Sequence, residues 1–125
     1  MSKEENTKIY NLEERTAKFG ETVIDFSKKI KKDEITKRLI PQLVGAATAV
    51  GANYCEADCA ESNKDFIHKM AIANKEAKES KHFVRMISKA CPELSGEGRK
   101  IWKEAHELNL IFTTIIRKSK QKKDN

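Results

Sequence analysis

The chain has 125 residues, 35% charged and only 6% aromatic, with five glycines and two prolines, which suits one domain and favours long helices over a strand-and-turn architecture. Its 25 Lys and Arg against 19 Asp and Glu leave a formal charge of +6, an excess that attracts polyanions without specifying a base sequence. The polar opening "MSKEENTKIYNLEERT" lacks the pattern of a secretion signal, no apolar run nears the roughly 18 residues of a membrane span, and Cys55, Cys59 and Cys91 are an odd set for a disulfide framework, so a soluble cytoplasmic protein with reduced thiols is expected.

Leu12, Thr16, Phe19, Val23, Phe26 and Ile30 recur at alternating spacings of four and three, the seam of a helix over about residues 11 to 30. Lysines then crowd "KKIKKDE", where they suit a helix C-terminus. Leu39, Leu43, Ala46, Val50, Asn53, Ala57 and Ala60 repeat the spacing and define a second helix, with Pro41 either in its first turn or kinking it. Its small residues, Gly45, Ala46, Ala47, Ala49, Gly51 and Ala52, would let a neighbouring backbone approach closely, so this helix is expected to be central and the most buried.

"SNKD" at 62–65 offers Ser62 as an N-cap. The third seam is Phe66, Met70, Ala73, Ala77, Ser80, Val84 and Ile87, ended by the proline and glycines of "CPELSGEG". Ile101, Ala105, Leu108, Phe112 and Ile115 form the fourth. Short connections make sequence neighbours antiparallel, so the fold expected is an all-α, up-down-up-down four-helix bundle over residues 9–118, with a flexible N-terminus at 1–8 and a disordered basic tail at 119–125. Ile24, Ile40, Val44, Ile67, Ile72, Trp102, Leu110, Ile111 and Ile116 lie beside the seams and either widen the core or mark a subunit interface.

Asn53 within an apolar seam reads as a buried polar lock on helix register, with Glu56 and Glu76 as candidate partners for its amide. Glu79 and His82 have the Glu-x-x-His spacing of di-iron bundles, but in one copy, and His68 is preceded by Asp65 instead of a glutamate; a surface ion pair explains them better. Cys55, Cys59 and His68 fit no recognised zinc spacing, and buried thiols among alanines explain the cysteines more simply. No nucleophile elbow or phosphate-binding glycine loop is present. Nothing nominates a catalytic residue, a metal or a cofactor, so a non-enzyme is expected.

Partner binding is suggested only by basic clusters. Lys28, Lys29, Lys31, Lys32, Lys37 and Arg38 surround the first turn, and Arg117, Lys118, Lys120, Lys122 and Lys123 lead to the C-terminus; both are either solvated charge or a surface for phosphate backbones. The lack of exposed aromatics in a basic sheet or loop argues against base-stacking modules.

"YNLEERTAKFGETVIDF", "QLVGAATAVGANYCEAD" and "ESNKDFIHKMAIANKEAKESKHFVRMI" resemble the bacterial four helix bundle family, also called the ribosomal RNA intervening-sequence protein family, over about residues 9 to 118. The resemblance places family positions at Asn53, Glu56, Glu76 and Glu79, none an established catalytic residue. It implies a four-helix protomer that assembles as a homopentamer, similar to the basic accessory protein of diversity-generating retroelements, which binds nucleic acid and a reverse transcriptase. Gly45, Ala46 and Ala49 depart from the arginine and serines common there, and Phe83 from a tryptophan. The expected function is therefore a non-enzymatic oligomer that binds RNA or DNA through basic patches, alternatively a protein-interaction scaffold.

Overall fold

Seams that repeat every three or four residues leave each helix with one apolar stripe, and pairing the stripes is the economical way to remove them from water. The computed structural model describes residues 11–122, and over these it is built from four helices without a strand. They are α1 (Leu12–Lys28), α2 (Thr36–Asp58), α3 (Asn63–Ala90) and α4 (Ser95–Lys120), with a 3₁₀ turn at Pro92–Leu94 opening α4. The expected flexible residues 1–8 lie outside the described residues.

Each helix packs on the next in sequence, and α1 closes back onto α4 through a thinner contact. Cross-helix bonds fix the directions. Asn63 Nδ2 at the start of α3 donates to Ser119 O at the end of α4 over 2.9 Å, while Asn109 Nδ2 donates to Asn74 Oδ1 near the middle over 2.7 Å, so the pair is antiparallel. Lys29 Nζ at the end of α1 reaches Glu97 Oε2 near the start of α4 at 3.0 Å. The architecture is the four-helix bundle that the periodicity predicts.

Val23, Leu43, Val50, Met70, Ile87, Leu108 and Phe112 are fully buried in the centre, with Ala47, Ala73, Ala77 and Ala105 equally enclosed between them. The small residues permit close approach at specific points. A Cβ on Gly51 would sit 3.2 Å from Thr16 Oγ1 of α1, and one on Gly98 would overlap Ser88 Oγ of α3. Thr16 is itself buried and returns its hydroxyl to Leu12 O at 2.7 Å, so no polar group is stranded at that crossing.

The turn between α1 and α2 is closed by two side chains. Asp33 Oδ1 accepts from the backbone N–H groups of Ile35 and Thr36, each at 2.9 Å, and Thr36 Oγ1 donates to Lys31 O at 2.7 Å. These bonds satisfy helix-terminal amides that would otherwise lack partners. Ser62 caps α3 as the sequence predicts, accepting from Asp65 N at 3.0 Å.

One expectation is decided and two change. Of the two places expected for Pro41, the structure gives the interior of a longer helix, beyond its first turn and on the exposed side. Helix α2 is not the most buried: Pro41, Gln42, Gly45, Thr48, Ala52 and Cys55 face outward, and nothing would lie within 4 Å of a Cβ on Gly45. The inward row turns out to be Leu43, Ala47, Val50, Tyr54 and Ala57, which keeps the four-three spacing one residue out of step with Asn53. Finally, α4 runs to Lys120 with Ser119 buried, so the bundle extends two residues past 118 and takes in the first part of the expected tail. Its helical hydrogen bonds and the contact from Asn63 hold that last turn in place.

Alanine is favoured over glycine in a helix interior by ~1 kcal/mol, yet Gly98→Ala is expected to destabilise the bundle by about 1–2 kcal/mol, because the new methyl must displace the Ser88 hydroxyl from Val84 O. In a Ser88→Ala background the same change should stabilise, since Ser88 Cβ would lie at an ordinary 3.7 Å. Chemical denaturation of the four proteins measures both signs, and simple additivity would disprove the contact.

Candidate functional site

The turn at residues 28–38 carries six cations and two carboxylates, and the fold decides which of them cancel. Lys28, Lys29, Lys31, Lys32, Lys37 and Arg38 are all exposed. Lys29 is paired with Glu97 and Lys37 with Glu34 at 3.0 Å. Asp33 spends its carboxylate on the backbone amides of Thr36 and Ile35, which hold its pKa below the usual value. Among the described residues no carboxylate lies within ion-pair distance of Lys28, Lys31, Lys32 or Arg38. This end of the bundle therefore presents four cations without an ion pair, partly offset by the Asp33 charge near Lys31.

Arg117, Lys118, Lys120 and Lys122 are also exposed, but they lie at the other end of the molecule. Along α4, from the level of Glu97 to Lys120, the separation is roughly 35 Å at 1.5 Å per residue. The residues expected to bind polyanions thus form two patches. Lys123 lies outside the described residues.

The buried polar lock expected of Asn53, Glu56 and Glu76 is not formed in the protomer. Asn53 is half-buried and its Nδ2 donates to Ala49 O of its own helix at 2.9 Å. Glu56 is exposed and accepts from Lys69 Nζ at 2.9 Å. The cause is the rotation of α2 that brings Tyr54 inward beside Asn53. A buried cross-helix asparagine does exist, at Asn109, whose amide reaches both Asn74 O and Asn74 Oδ1. Its position directly after the seam residue Leu108 was the available signal.

Glu76 is half-buried beside Glu79. Burial raises its pKa above the ordinary 4.5, and the charge of Glu79 and a hydrogen bond to it push the same way. Cys55 and Cys59 are exposed and only Cys91 is buried, which corrects the expectation of buried thiols in α2. Burial pushes the Cys91 thiol up, so it is a poor nucleophile. His82 stands edge-on to Phe83, with 5.1 Å between ring centroids. Among the described residues no three His, Cys, Asp or Glu side chains are grouped to hold a metal ion, and no helix is long and apolar enough to cross a membrane.

A groove of about 440 Å³ runs along the thin α1–α4 contact, floored by Phe19, Phe26 and Ile101. Its rims are largely self-neutralised. Arg15 Nε and Nη2 each lie 2.8 Å from one oxygen of Glu104, a bidentate pair that raises the Arg15 pKa further.

One feature escapes the seam analysis. Trp102 is 38% exposed on α4 and stacks on His106, with centroids 5.1 Å apart and planes 16° apart. Lys81 of α3 lies 5.2 Å from the indole centroid and 3.2 Å from His106 Nδ1. The expectation of no exposed aromatics concerned a basic sheet or loop, and this one lies on a helix. The signal was the four-residue spacing of Trp102 and His106, which puts both rings on one helix face.

Residues 6–92 match the family model described as 23S rRNA-intervening sequence protein. The chain belongs to this family. The matched stretch takes in α1 to α3 and ends at the turn before α4, short of residue 118, where the likeness was expected to end. A crystal structure of a protein of unknown function from the S23 ribosomal protein family of Bacteroides thetaiotaomicron VPI-5482 resembles the fold, with a TM-score of 0.74 and 25% identity, over 83% of this chain and 96% of that one. A comparison with curated proteins found no match. The family membership accounts for the architecture without assigning it an activity. It also gives a setting to Gly45 and Ala49, which lie on the outward half of α2, whereas Ala46 is buried and Phe83 packs against the core.

The raised pKa of Glu76 fixes the sign of a pH effect. Stability from its protonated form is fully present below the ordinary value of 4.5 and is lost as pH rises through the higher folded-state value. Glu76→Gln is therefore expected to raise the melting temperature near neutral pH and to shrink that advantage on acidification. Asp33, whose pKa is lowered, contributes the opposite slope in both proteins and drops out of the comparison. Parallel melting curves at every pH would refute the assignment.

Proposed function

We propose that the chain is a non-enzymatic nucleic-acid-binding protein that acts as a homo-oligomer, with the pentamer implied by the family resemblance as its stoichiometry, in the cytoplasm. The observation that carries the binding reading is the cluster of Lys28, Lys31, Lys32 and Arg38, exposed and without ion-pair carboxylates among the described residues. Like charges held together by the fold repel one another, and a phosphate backbone relieves that repulsion while releasing counterions. Repetition of the cluster by symmetry would multiply the field. The second cluster, Arg117, Lys118, Lys120 and Lys122 with Lys123 beyond it, gives each protomer a further contact at its far end.

The assembly is supported by α2. From Leu39 to Cys55 there are 17 consecutive residues without a charge, in a chain where 35% of residues are charged. Pro41, Gly45, Thr48, Ala52 and Cys55 from that stretch are exposed. Subunit interfaces are depleted in charge in this way. The same face favours the second reading, a scaffold whose partners are proteins and whose cations are only solvated.

Ionic strength separates the two. Binding of a labelled RNA should weaken as salt rises from about 50 to about 200 mM, with a log–log slope of about −0.7 for each phosphate contacted in a single strand. Charge reversal at Lys28, Lys31, Lys32 and Arg38 should flatten that slope and lower affinity at least about tenfold. Light scattering should give a mass near five times the 14.2 kDa chain. An oligomer that binds neither RNA nor DNA at low salt would favour the scaffold.

A further inference from the structure

The surface between α3 and α4 has a different chemistry from the two basic ends. Lys81 faces α4, where it meets the Trp102–His106 stack at 5.2 Å from the indole centroid and 3.2 Å from the imidazole Nδ1. A charged ammonium can only donate, so His106 accepts at Nδ1 and carries its hydrogen on Nε2. That N–H makes no hydrogen bond to the described residues and remains as a donor.

Lys78 and Arg85, three residues before Lys81 and four after, share its side of α3, and Arg99, three before Trp102, shares the indole's side of α4. Lys78, Arg85 and Arg99 are exposed. None of these three, nor Lys81, is within ion-pair distance of a carboxylate among the described residues. Carboxylates on these helices point elsewhere: Glu104 and Glu107 go to Arg15 of α1, Glu97 to Lys29, and Glu76 and Glu79 are paired with each other. This surface is a file of cations around one exposed, stacked indole.

Cations alone would serve any polyanion. An indole at 38% exposure adds an aromatic surface, held in place by the stacked imidazole and by the ammonium over the ring. Bases within a duplex are already stacked and cannot use such a face, whereas an unpaired base can. Phosphates on either side of that base would meet Lys78, Lys81, Arg85 and Arg99; burial, and after it the charge of Lys78, lower the Lys81 pKa, and a phosphate there would favour its charged form.

We infer that the α3–α4 surface is a docking site for single-stranded nucleic acid, with Trp102 as the stacking platform for a base and the flanking cations on its phosphates. This rests on the nucleic-acid reading above and adds the place and the form in which the strand is held. Arg99, near the start of α4, lies toward the end of the bundle that carries the α1–α2 cations, so a strand can pass from that cluster onto the α3–α4 surface.

Trp102 is the sole tryptophan, which makes its emission a local probe. An unstructured oligonucleotide, tested as RNA and as DNA, should quench it at low salt, and Trp102→Ala should weaken binding roughly 5- to 100-fold while Trp102→Phe retains most of it. Lys81→Gln, which keeps the indole, should weaken binding less and preserve quenching. A duplex of the same sequence and inorganic polyphosphate should leave emission unchanged. Single strands that bind without quenching, and equally well to the Trp102→Ala protein, would overturn the α3–α4 assignment while leaving the basic clusters as the binding surface. Absence of binding to any nucleic acid would overturn both readings, and a Trp102→Ala protein of altered oligomeric mass would make the indole a contact between copies.

Discussion

Close helix approach at alanine and glycine positions is the constraint on which the rest of the bundle depends. Ala47, Ala73, Ala77 and Ala105 have no exposed surface, and Gly51 and Gly98 admit Thr16 and Ser88 at points where a methyl would crowd them. Small residues contribute little apolar area each, at roughly 25 cal/mol per Å² buried. The compensation is length: α3 has 28 residues and α4 has 26, and together they carry Met70, Ile87, Leu108 and Phe112 into the centre. Helix α1, with 17 residues, rests chiefly on α2 and is clasped to α4 by Arg15–Glu104 and Lys29–Glu97. The open groove beside it follows from that division.

The same packing sorts the charges. Glu34, Glu56, Glu97 and Glu104 are engaged by cations within the protomer, and Asp33 by backbone amides. A modest formal excess of +6 thereby becomes local clusters of cations outside any ion pair, with only Asp33 near Lys31 to offset the first. Exposed ion pairs are worth little to stability. Their consequence here is electrostatic, because each pair removes an anion from the field that a phosphate backbone would meet.

Much of the fold was legible because a seam spaced four and three identifies a helix face whatever the tertiary context. Thr16, Ser80 and Ser62 were placed correctly by that logic. Asn53 was not, because adjacent residues near the edge of a stripe compete for the inward position, and Tyr54 shares it through a half-buried ring that has apolar area to bury. The small-residue run of α2 was read as central since alanine and glycine permit contact, but permission is not occupancy: Gly45 has nothing beside it. The candidate site was legible only as lists of cations. Their division between two ends, the carboxylates that neutralise some of them, and the meeting of Lys81 with Trp102 all depend on α3 and α4 being antiparallel and in one register, which no local pattern specifies.

Helix α3 divides the molecular surface. Glu76 and Glu79 occupy the flank toward α2, and Lys78, Lys81 and Arg85 the flank toward α4, because residues separated by three or four fall on the same side while neighbours two apart do not. The outward face of α2 is uncharged from Leu39 to Cys55, with a carboxylate pair at its margin. A polyanion is repelled from that margin and attracted to the other. An assembly formed through the Leu39–Cys55 stretch of α2 would therefore cover an uncharged surface and leave the α3–α4 surface of each copy open, so that association and strand binding at Trp102 need not compete for the same residues.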